Sequence, residues 1–257
     1  MNNAPIGIYD SGMGGLSIHL AVRQRLPREA LIYLGDGKNC PYGSRSREEV
    51  ARLADEAVAH LVAQGCKLVV VACNTATAAA IDALRAKYAP MPIVGMEPAI
   101  KPACLKTQSR VVGVLATERS LDGELFRRTA ARYGADIEVL TAVGEGFVEL
   151  VEAGREQTPE AVAQVEKVLR PMLDRGADEI VLGCTHYPFL RDAMQEAAKG
   201  VEVDFIDPSE AVARRVEQLL EEHDLRCEEQ HEGSERFETF ADETYRVRLE
   251  QRAQHNL

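Results

Sequence analysis

Two cysteines stand in matching local settings. Cys73 follows the apolar run Leu68-Val69-Val70-Val71-Ala72 and leads into Asn74-Thr75-Ala76; Cys184 follows Ile180-Val181-Leu182-Gly183 and leads into Thr185-His186-Tyr187-Pro188. Each lies eight residues after a glycine, Gly65 or Gly176. Their neighbours carry hydroxyl, amide and imidazole groups, so a packing role suits them less well than it suits Cys40, Cys66, Cys104 and Cys227. A cysteine at the start of a helix is favoured as thiolate, with its pKa drawn from about 8.5 toward 7 or below. A matched pair, one thiolate and one thiol, supplies a base and an acid near neutral pH. Phosphatase chemistry through Cys-x5-Arg is excluded, because positions 79 and 190 are Ala79 and Leu190. The cysteines form no C-x-x-C pair, and Cys184-Thr185-His186 is too tight for a usual structural zinc site, so free thiols and no metal are expected.

The elements that must position these thiols follow from the hydrophobic pattern. Short β-branched runs at 5–9, 31–34, 68–72, 93–96, 111–115, 137–140, 179–182 and 203–206 alternate with helical patterns such as 46–64, 76–88, 159–175 and 189–199. That alternation predicts βαβ units around largely parallel sheets. The pattern also repeats. Ile6-Gly7-Ile8-Tyr9 recurs as Val112-Gly113-Val114-Leu115, Leu31–Leu34 as Ile137–Leu140, Gly65-x7-Cys73 as Gly176-x7-Cys184, and the run at 93–98 as that at 203–208. The matches are collinear and predict two pseudo-symmetric, doubly wound α/β units. The first is assigned to residues 1–97 plus 208–257 and the second to 98–207, with the active site in the cleft between them. In open parallel sheets ligands bind at the carboxyl ends of strands, where both cysteines fall. Two further turns sit at such ends. Asp10-Ser11-Gly12-Met13-Gly14-Gly15 offers a carboxylate, a hydroxyl and exposed amides without a P-loop or G-x-G-x-x-G pattern, and Pro41-Tyr42-Gly43-Ser44 follows the second strand.

Composition limits the alternatives. The 257 residues are 46% hydrophobic and 28% charged, an ordinary globular balance. No apolar run approaches the roughly 20 residues that span a bilayer, and Met1–Pro5 has no basic or apolar leader pattern, which points to a cytoplasmic protein. Thirty basic residues against 41 acidic give a net charge of −11, which argues against nucleic acid and anionic membranes as partners. Residues 221–238 hold eight acidic and two basic residues and so account for −6 of it, leaving a near-neutral body. That segment reads as a solvated or loosely ordered surface.

The motifs Ile8–Leu16, Pro41-Tyr42-Gly43, Ala72-Cys73-Asn74-Thr75-Ala76, Glu97-Pro98 and Gly183-Cys184-Thr185-His186-Tyr187-Pro188 occur in an order that resembles the glutamate racemases, within the aspartate/glutamate racemase family. The resemblance implies a cofactor-independent enzyme that interconverts L- and D-glutamate and supplies D-glutamate for peptidoglycan, acting as a homodimer. It implies that Cys73 and Cys184 are the two acid/bases on opposite faces of the substrate α-carbon. It also implies that Asp10 assists Cys73, that Glu152 and His186 assist Cys184, and that Asp10, Ser11, Pro41, Tyr42, Gly43, Asn74, Thr75, Thr185 and His186 line the substrate site. Many members carry Cys-Pro where this chain reads Val143-Gly144-Glu145-Gly146, a departure in one wall of the pocket.

Chemistry asks for the same arrangement. The α-hydrogen of an amino acid is far less acidic than a thiol, so one base must remove it while a second group returns a proton on the other face, and the pair titrates jointly. Asn74, Thr75, Thr185 and helix-terminal amides are the donors that would hold the carboxylate as charge builds. No lysine stands in a recognisable Schiff-base motif, so pyridoxal phosphate is not called for. Two rivals stand beside this reading. A racemase of aspartate or another small amino acid differs only in pocket size near Tyr42 and Val143–Gly146, and a two-lobed binding protein without chemistry leaves the twin cysteines unexplained.

Overall fold

Burial explains the strands, and helix-end chemistry explains where the chain turns between them. The computed structural model describes residues 2–96, 99–133, 136–228, 230 and 232–254. The Glu97-Pro98 motif lies outside the described residues. The chain divides into two compact units, Met1–Met96 with Ser209–Leu257 and Glu97–Pro208.

The first unit runs β1 (Ile6–Asp10), α1 (Leu16–Arg25), β2 (Leu31–Gly35), α2 (Arg47–Ala63), β3 (Leu68–Val71), α3 (Asn74–Lys87) and β4 (Ile93–Gly95). The second contains α4 (Ile100–Lys106), β5 (Val111–Ala116), α5 (Glu118–Leu121), α6 (Glu124–Tyr133), β6 (Glu138–Val143), α7 (Phe147–Glu152), α8 (Pro159–Asp174), β7 (Glu179–Gly183), a 3₁₀ turn (Tyr187–Leu190), α9 (Arg191–Ala197) and β8 (Asp204–Ile206). The chain then returns through α10 (Ser209–Glu222), β9 (Glu235–Thr239) and α11 (Glu243–Gln254). All eight expected strands are present within one to three residues of their expected ends.

Both sheets are entirely parallel. Their orders are β4-β3-β1-β2-β9 and β6-β5-β7-β8, so β1, β2, β3 and β4 correspond one for one to β5, β6, β7 and β8. The duplication seen in the sequence is therefore a duplication of topology. The strand β9, which pairs with β2 from Leu31↔Glu235 to Gly35↔Thr239, is an addition to the first sheet. Part of the acidic 221–238 segment is thus ordered sheet, and within it Arg226 bridges Glu217 and Glu221 while Arg23 holds Glu235. α10 packs on α1. Central strands β1, β2, β3 and β7 are buried at every residue, as parallel strands covered on both faces must be.

The repeated Gly-x7-Cys spacing has a physical reason. Gly65 (φ +79°) and Gly176 (φ +87°) end α2 and α8 in the left-handed region. At each the next amide reaches back five residues, Cys66 N–H to Leu61 O at 3.2 Å and Ala177 N–H to Met172 O at 3.1 Å, the six-to-one bond of a Schellman ending. From that stop the chain needs one short connection and one buried strand to reach the cysteine. The glycine starts the strand and the cysteine ends it.

Candidate active site

β1 delivers Asp10 to the carboxyl edge of the first sheet, fully buried. Its carboxylate Oδ1 accepts the Gly12 N–H at 2.9 Å, which folds the following loop back over the strand end. A Cβ at Gly15 would lie 2.6 Å from Asp10 Cβ, so the loop closes only over glycine there. Tyr33 on β2 braces the loop from below, its buried hydroxyl donating to Gly12 O at 2.7 Å.

Cys73 caps α3 in extended geometry (φ −76°, ψ 120°) and is 4% exposed. The Ala76 N–H points at its sulfur at 3.4 Å, and the thiol donates to Ser11 Oγ at 3.5 Å. One buried thiol is thus joined to the Asp10-Ser11 loop and held by a helix-terminal amide, the arrangement that favours a thiolate. Ser11 and Thr75 are buried here as well, while Pro41 and Gly43 are half-buried. Asn74, the first residue of α3, is 5% exposed, and neither its amide nitrogen nor its amide oxygen has a hydrogen-bond partner among the described residues. Buried side-chain amides are normally satisfied, so an orphaned one at a helix amino terminus is a donor held for something else.

Tyr42 is buried, and its hydroxyl is occupied within the protein. It donates to Asp36 Oδ2 at 2.6 Å and accepts from Tyr9 at 2.7 Å, while Asn39 Nδ2 donates to both Asp36 oxygens at 3.0 Å. Burial pushes both phenols well above their ordinary pKa, reinforced at Tyr42 by its bond to Asp36 and at Tyr9 by the neighbouring Tyr42. Tyr42 therefore shapes the Pro41-Tyr42-Gly43 segment with its ring and offers a ligand its backbone. Sequence reasoning missed Tyr9, Tyr33 and Asp36. Tyr9 and Tyr33 lie inside the β1 and β2 runs, where an apolar pattern does not distinguish them from core packing, and Asp36 stands just past the end of β2.

In the second unit β7 delivers Cys184, Thr185 and His186, exposed by 7%, 4% and 1%. The Cys184 sulfur lies 3.8 Å from His186 Nδ1, and His186 Nε2 lies 2.7 Å from Glu152 Oε1 at the end of α7. A carboxylate can only accept, so Nε2 is the nitrogen that donates to Glu152, and Nδ1 is the one that faces the thiol. The imidazole can take the thiol proton, and Glu152 stabilises the resulting cation. The Val143-Gly144-Glu145-Gly146 departure has a steric role: a Cβ at Gly144 would lie 2.5 Å from the Tyr187 hydroxyl and 2.6 Å from the Phe147 ring, and Gly146 (φ +75°) opens α7. Tyr187 packs edge-on against Phe147 at 5.2 Å directly behind Cys184-Thr185-His186. The structure thus brings Asp10, Ser11 and Cys73 together in one unit and Glu152, Cys184 and His186 together in the other. Among the described residues no helix is long and apolar enough to cross a membrane.

Comparison with known proteins identifies the family. Residues 16–216 match the Asp/Glu/Hydantoin racemase family. The glutamate racemase of Herpetosiphon aurantiacus is 45% identical over 251 residues, which cover 98% of each chain. Among solved structures, glutamate racemase isoform RacE1 from Bacillus anthracis superposes with a TM-score of 0.87 at 28% identity, covering 100% of this chain and 96% of that one. Glutamate racemase from Francisella tularensis in complex with D-glutamate does so with a TM-score of 0.85 at 26% identity, covering 100% and 95%. The chain belongs to the Asp/Glu/Hydantoin racemase family and is an amino-acid racemase.

Proposed function

We propose that the protein is a cofactor-independent glutamate racemase that interconverts L- and D-glutamate through two thiols, Cys73 and Cys184. The observation that carries this reading is the placement of two buried cysteines after equivalent strands, β3 and β7, of two sheets with the same order, each with its own proton-handling partners. The relatives' activity supports glutamate as substrate.

In one direction a cysteine thiolate takes the α-proton, forming S–H and leaving the electron pair on the α-carbon and its carboxylate. The other cysteine then donates its proton to the opposite face and becomes the thiolate. After a turnover in one direction the two cysteines have exchanged states, and exchange of their protons with solvent resets the pair for the next turnover, which is also how solvent deuterium reaches the α-carbon. Asn74 with the first amides of α3, and Thr185, would hold the carboxylate as it gains charge. Losing one such donor costs about 3–4 kcal/mol of transition-state stabilisation in other enzymes. Ser11 and Asp10 would serve proton transfer at Cys73, and His186 with Glu152 at Cys184. Supply of D-glutamate for peptidoglycan, a cytoplasmic location and a homodimer belong to the same proposal.

The test is solvent exchange in D2O. Without added cofactor, both glutamate enantiomers are expected to gain deuterium at the α-carbon, and Cys73→Ser and Cys184→Ser are each expected to abolish racemisation. Racemisation at the wild-type rate in either variant would refute the two-thiol reading. Turnover of aspartate but not glutamate would retain the chemistry and change the substrate.

A further inference from the structure

The second unit has a cavity of about 470 Å³ at the edge of its sheet opposite the catalytic one, lined by Cys104, Thr107, Arg110, Arg132, Tyr133, Asp136 and Ile137. Arg110 and Ile137 directly precede β5 and β6, whereas Cys184 follows β7. At about 3.3 Å per residue, a strand of this length separates the cavity from the thiol by roughly 20 Å. The volume falls within the roughly 300–1,000 Å³ of small-molecule sites.

Its charge is unusual for this chain. In a protein of net charge −11 the lining carries two guanidinium groups against one carboxylate. Neither the Arg110 nor the Arg132 side chain has an ion pair among the described residues, whereas Arg23, Arg25, Arg45, Arg155, Arg175 and Arg226 each have one. Lys101 Nζ stands 5.6 Å and the Arg132 guanidinium 5.4 Å from the Tyr133 ring centre, which adds a third cation beside the cavity.

Arg110 is also held in an unfavourable conformation. Its φ of +64° lies in the left-handed region, where residues other than glycine, asparagine and aspartate are uncommon. The turn around it is fixed from several sides. Asp178 accepts from the Thr107 hydroxyl and, at 2.7 Å each, from the Gln108 and Ser109 amides. The Arg110 N–H donates to Thr107 Oγ1 at 3.0 Å, and Arg110 O accepts from Glu138 N–H at 2.8 Å. A strained residue persists when its surroundings over-determine it, and such residues gather at binding sites. Here the fixed turn places the exposed Arg110 side chain in the lining of a cavity that also holds Arg132.

We propose that this cavity binds a small organic dianion through Arg110 and Arg132, a phosphate monoester or a dicarboxylate, at a site separate from the racemisation chemistry. Guanidinium forks grip either oxyanion bidentately. Tyr133, Ile137 and Cys104 give the organic part an apolar wall.

The probes are phenyl phosphate and phthalate, titrated calorimetrically into the full-length protein with saturating glutamate present so that the substrate site is filled. Saturable one-to-one binding is expected for at least one probe, weakened at least tenfold in both Arg110→Gly and Arg132→Ala. Arg127→Ala, on the same helix but outside the lining, should bind as wild type. A preference for phenyl phosphate assigns the natural ligand to phosphate esters, and a preference for phthalate assigns it to dicarboxylates. Arg110→Gly should also unfold at a temperature no lower than wild type, since glycine accepts the left-handed φ. Absence of saturable binding by both probes, wild-type affinity in either cavity variant, or an equal loss in Arg127→Ala would overturn the proposal.

Discussion

Replacing Asn74 by alanine is expected to separate stability from turnover. The side chain is 95% buried, and both of its polar atoms are without hydrogen-bond partners among the described residues. An unsatisfied buried polar group costs about 1–3 kcal/mol, which the substitution relieves. Against this stands the packing of one small amide, which should not exceed the roughly 2 kcal/mol at the low end for truncating a larger buried aliphatic chain. The substrate-free variant should therefore unfold within about 1 kcal/mol of wild type, where truncation of a satisfied core residue costs about 2–5 kcal/mol. Turnover should respond differently. If the amide is held ready for the substrate carboxylate, its loss removes a donor that strengthens as charge builds, and kcat/KM should fall about 10²- to 10³-fold in both directions. Urea unfolding followed by circular dichroism gives the first number, and initial rates from each enantiomer give the second. Glutamate should raise the melting temperature of wild type and do so less in the variant. An Asn74→Ala protein destabilised by more than about 2 kcal/mol with unchanged kcat/KM would show that the amide is structural and refute the reasoning.

Two further expectations concern buried charge. Lys67 Nζ lies 2.6 Å from Glu29 Oε2, with side-chain exposures of 1% and 2%. The same nitrogen donates to Asn2 O at 2.5 Å, and Glu29 Oε1 accepts the Cys227 N–H at 3.0 Å, so the pair ties the amino-terminal segment, β2, β3 and the returning chain at the edge away from Cys73. Lys67→Met should cost about 3–5 kcal/mol by urea unfolding, because Glu29 is left buried without its cation, and Lys67→Met/Glu29→Leu should recover part of that loss. Equal stability of the two variants would count against a coupled pair. His19 is buried with neither ring nitrogen hydrogen-bonded among the described residues, and desolvation lowers its pKa to about 4 despite Glu235 at 3.9 Å, whose charge Arg23 already engages. The unfolded chain therefore binds the proton first, so stability is full above about pH 6.5 and declines as pH falls toward 4, by about 3 kcal/mol in total. His19→Phe should flatten that acid limb in urea midpoints measured from pH 7 to 4, and an unaltered slope would assign the limb to other groups.

The sequence could reveal the frame because the frame is built from local rules. A buried parallel strand is a short β-branched run, and Gly65 and Gly176 mark helix ends by a conformation that glycine alone adopts freely, so the runs and the Gly-x7-Cys spacing were readable together. Residues that support the chemistry from behind were not. Tyr33 on β2 reaches Gly12 across register that exists only once β1 and β2 pair, and Asp36 accepts from Tyr42 through the folding of the loop after β2. The helical pattern at 189–199 likewise did not show that its first residues belong to the 3₁₀ turn Tyr187–Leu190, which leads into α9 at Arg191. The acidic 221–238 stretch read as loose surface because its charges were counted without partners, and Arg23 and Arg226 supply two of those partners from inside and outside the stretch.

That 3₁₀ turn also explains why two duplicated units stabilise their thiols differently. After β3 the chain enters a regular helix, so Cys73 gains the Ala76 amide at 3.4 Å and the positive end of α3, a fixed dipole that does not titrate. After β7 the chain tightens, and the position matching Thr75 is His186, whose ring lies 3.8 Å from Cys184 and is held by Glu152. In the proposed mechanism each thiol is base in one direction and acid in the other, so its charged form must be accessible without being permanently favoured. The first unit would meet this with backbone amides and the Ser11 hydroxyl, the second with an imidazole–carboxylate pair. Duplication fixed where the two sulfurs stand in their sheets, and divergence at two residues, Thr185-His186 for Asn74-Thr75, changed the groups that each sulfur meets.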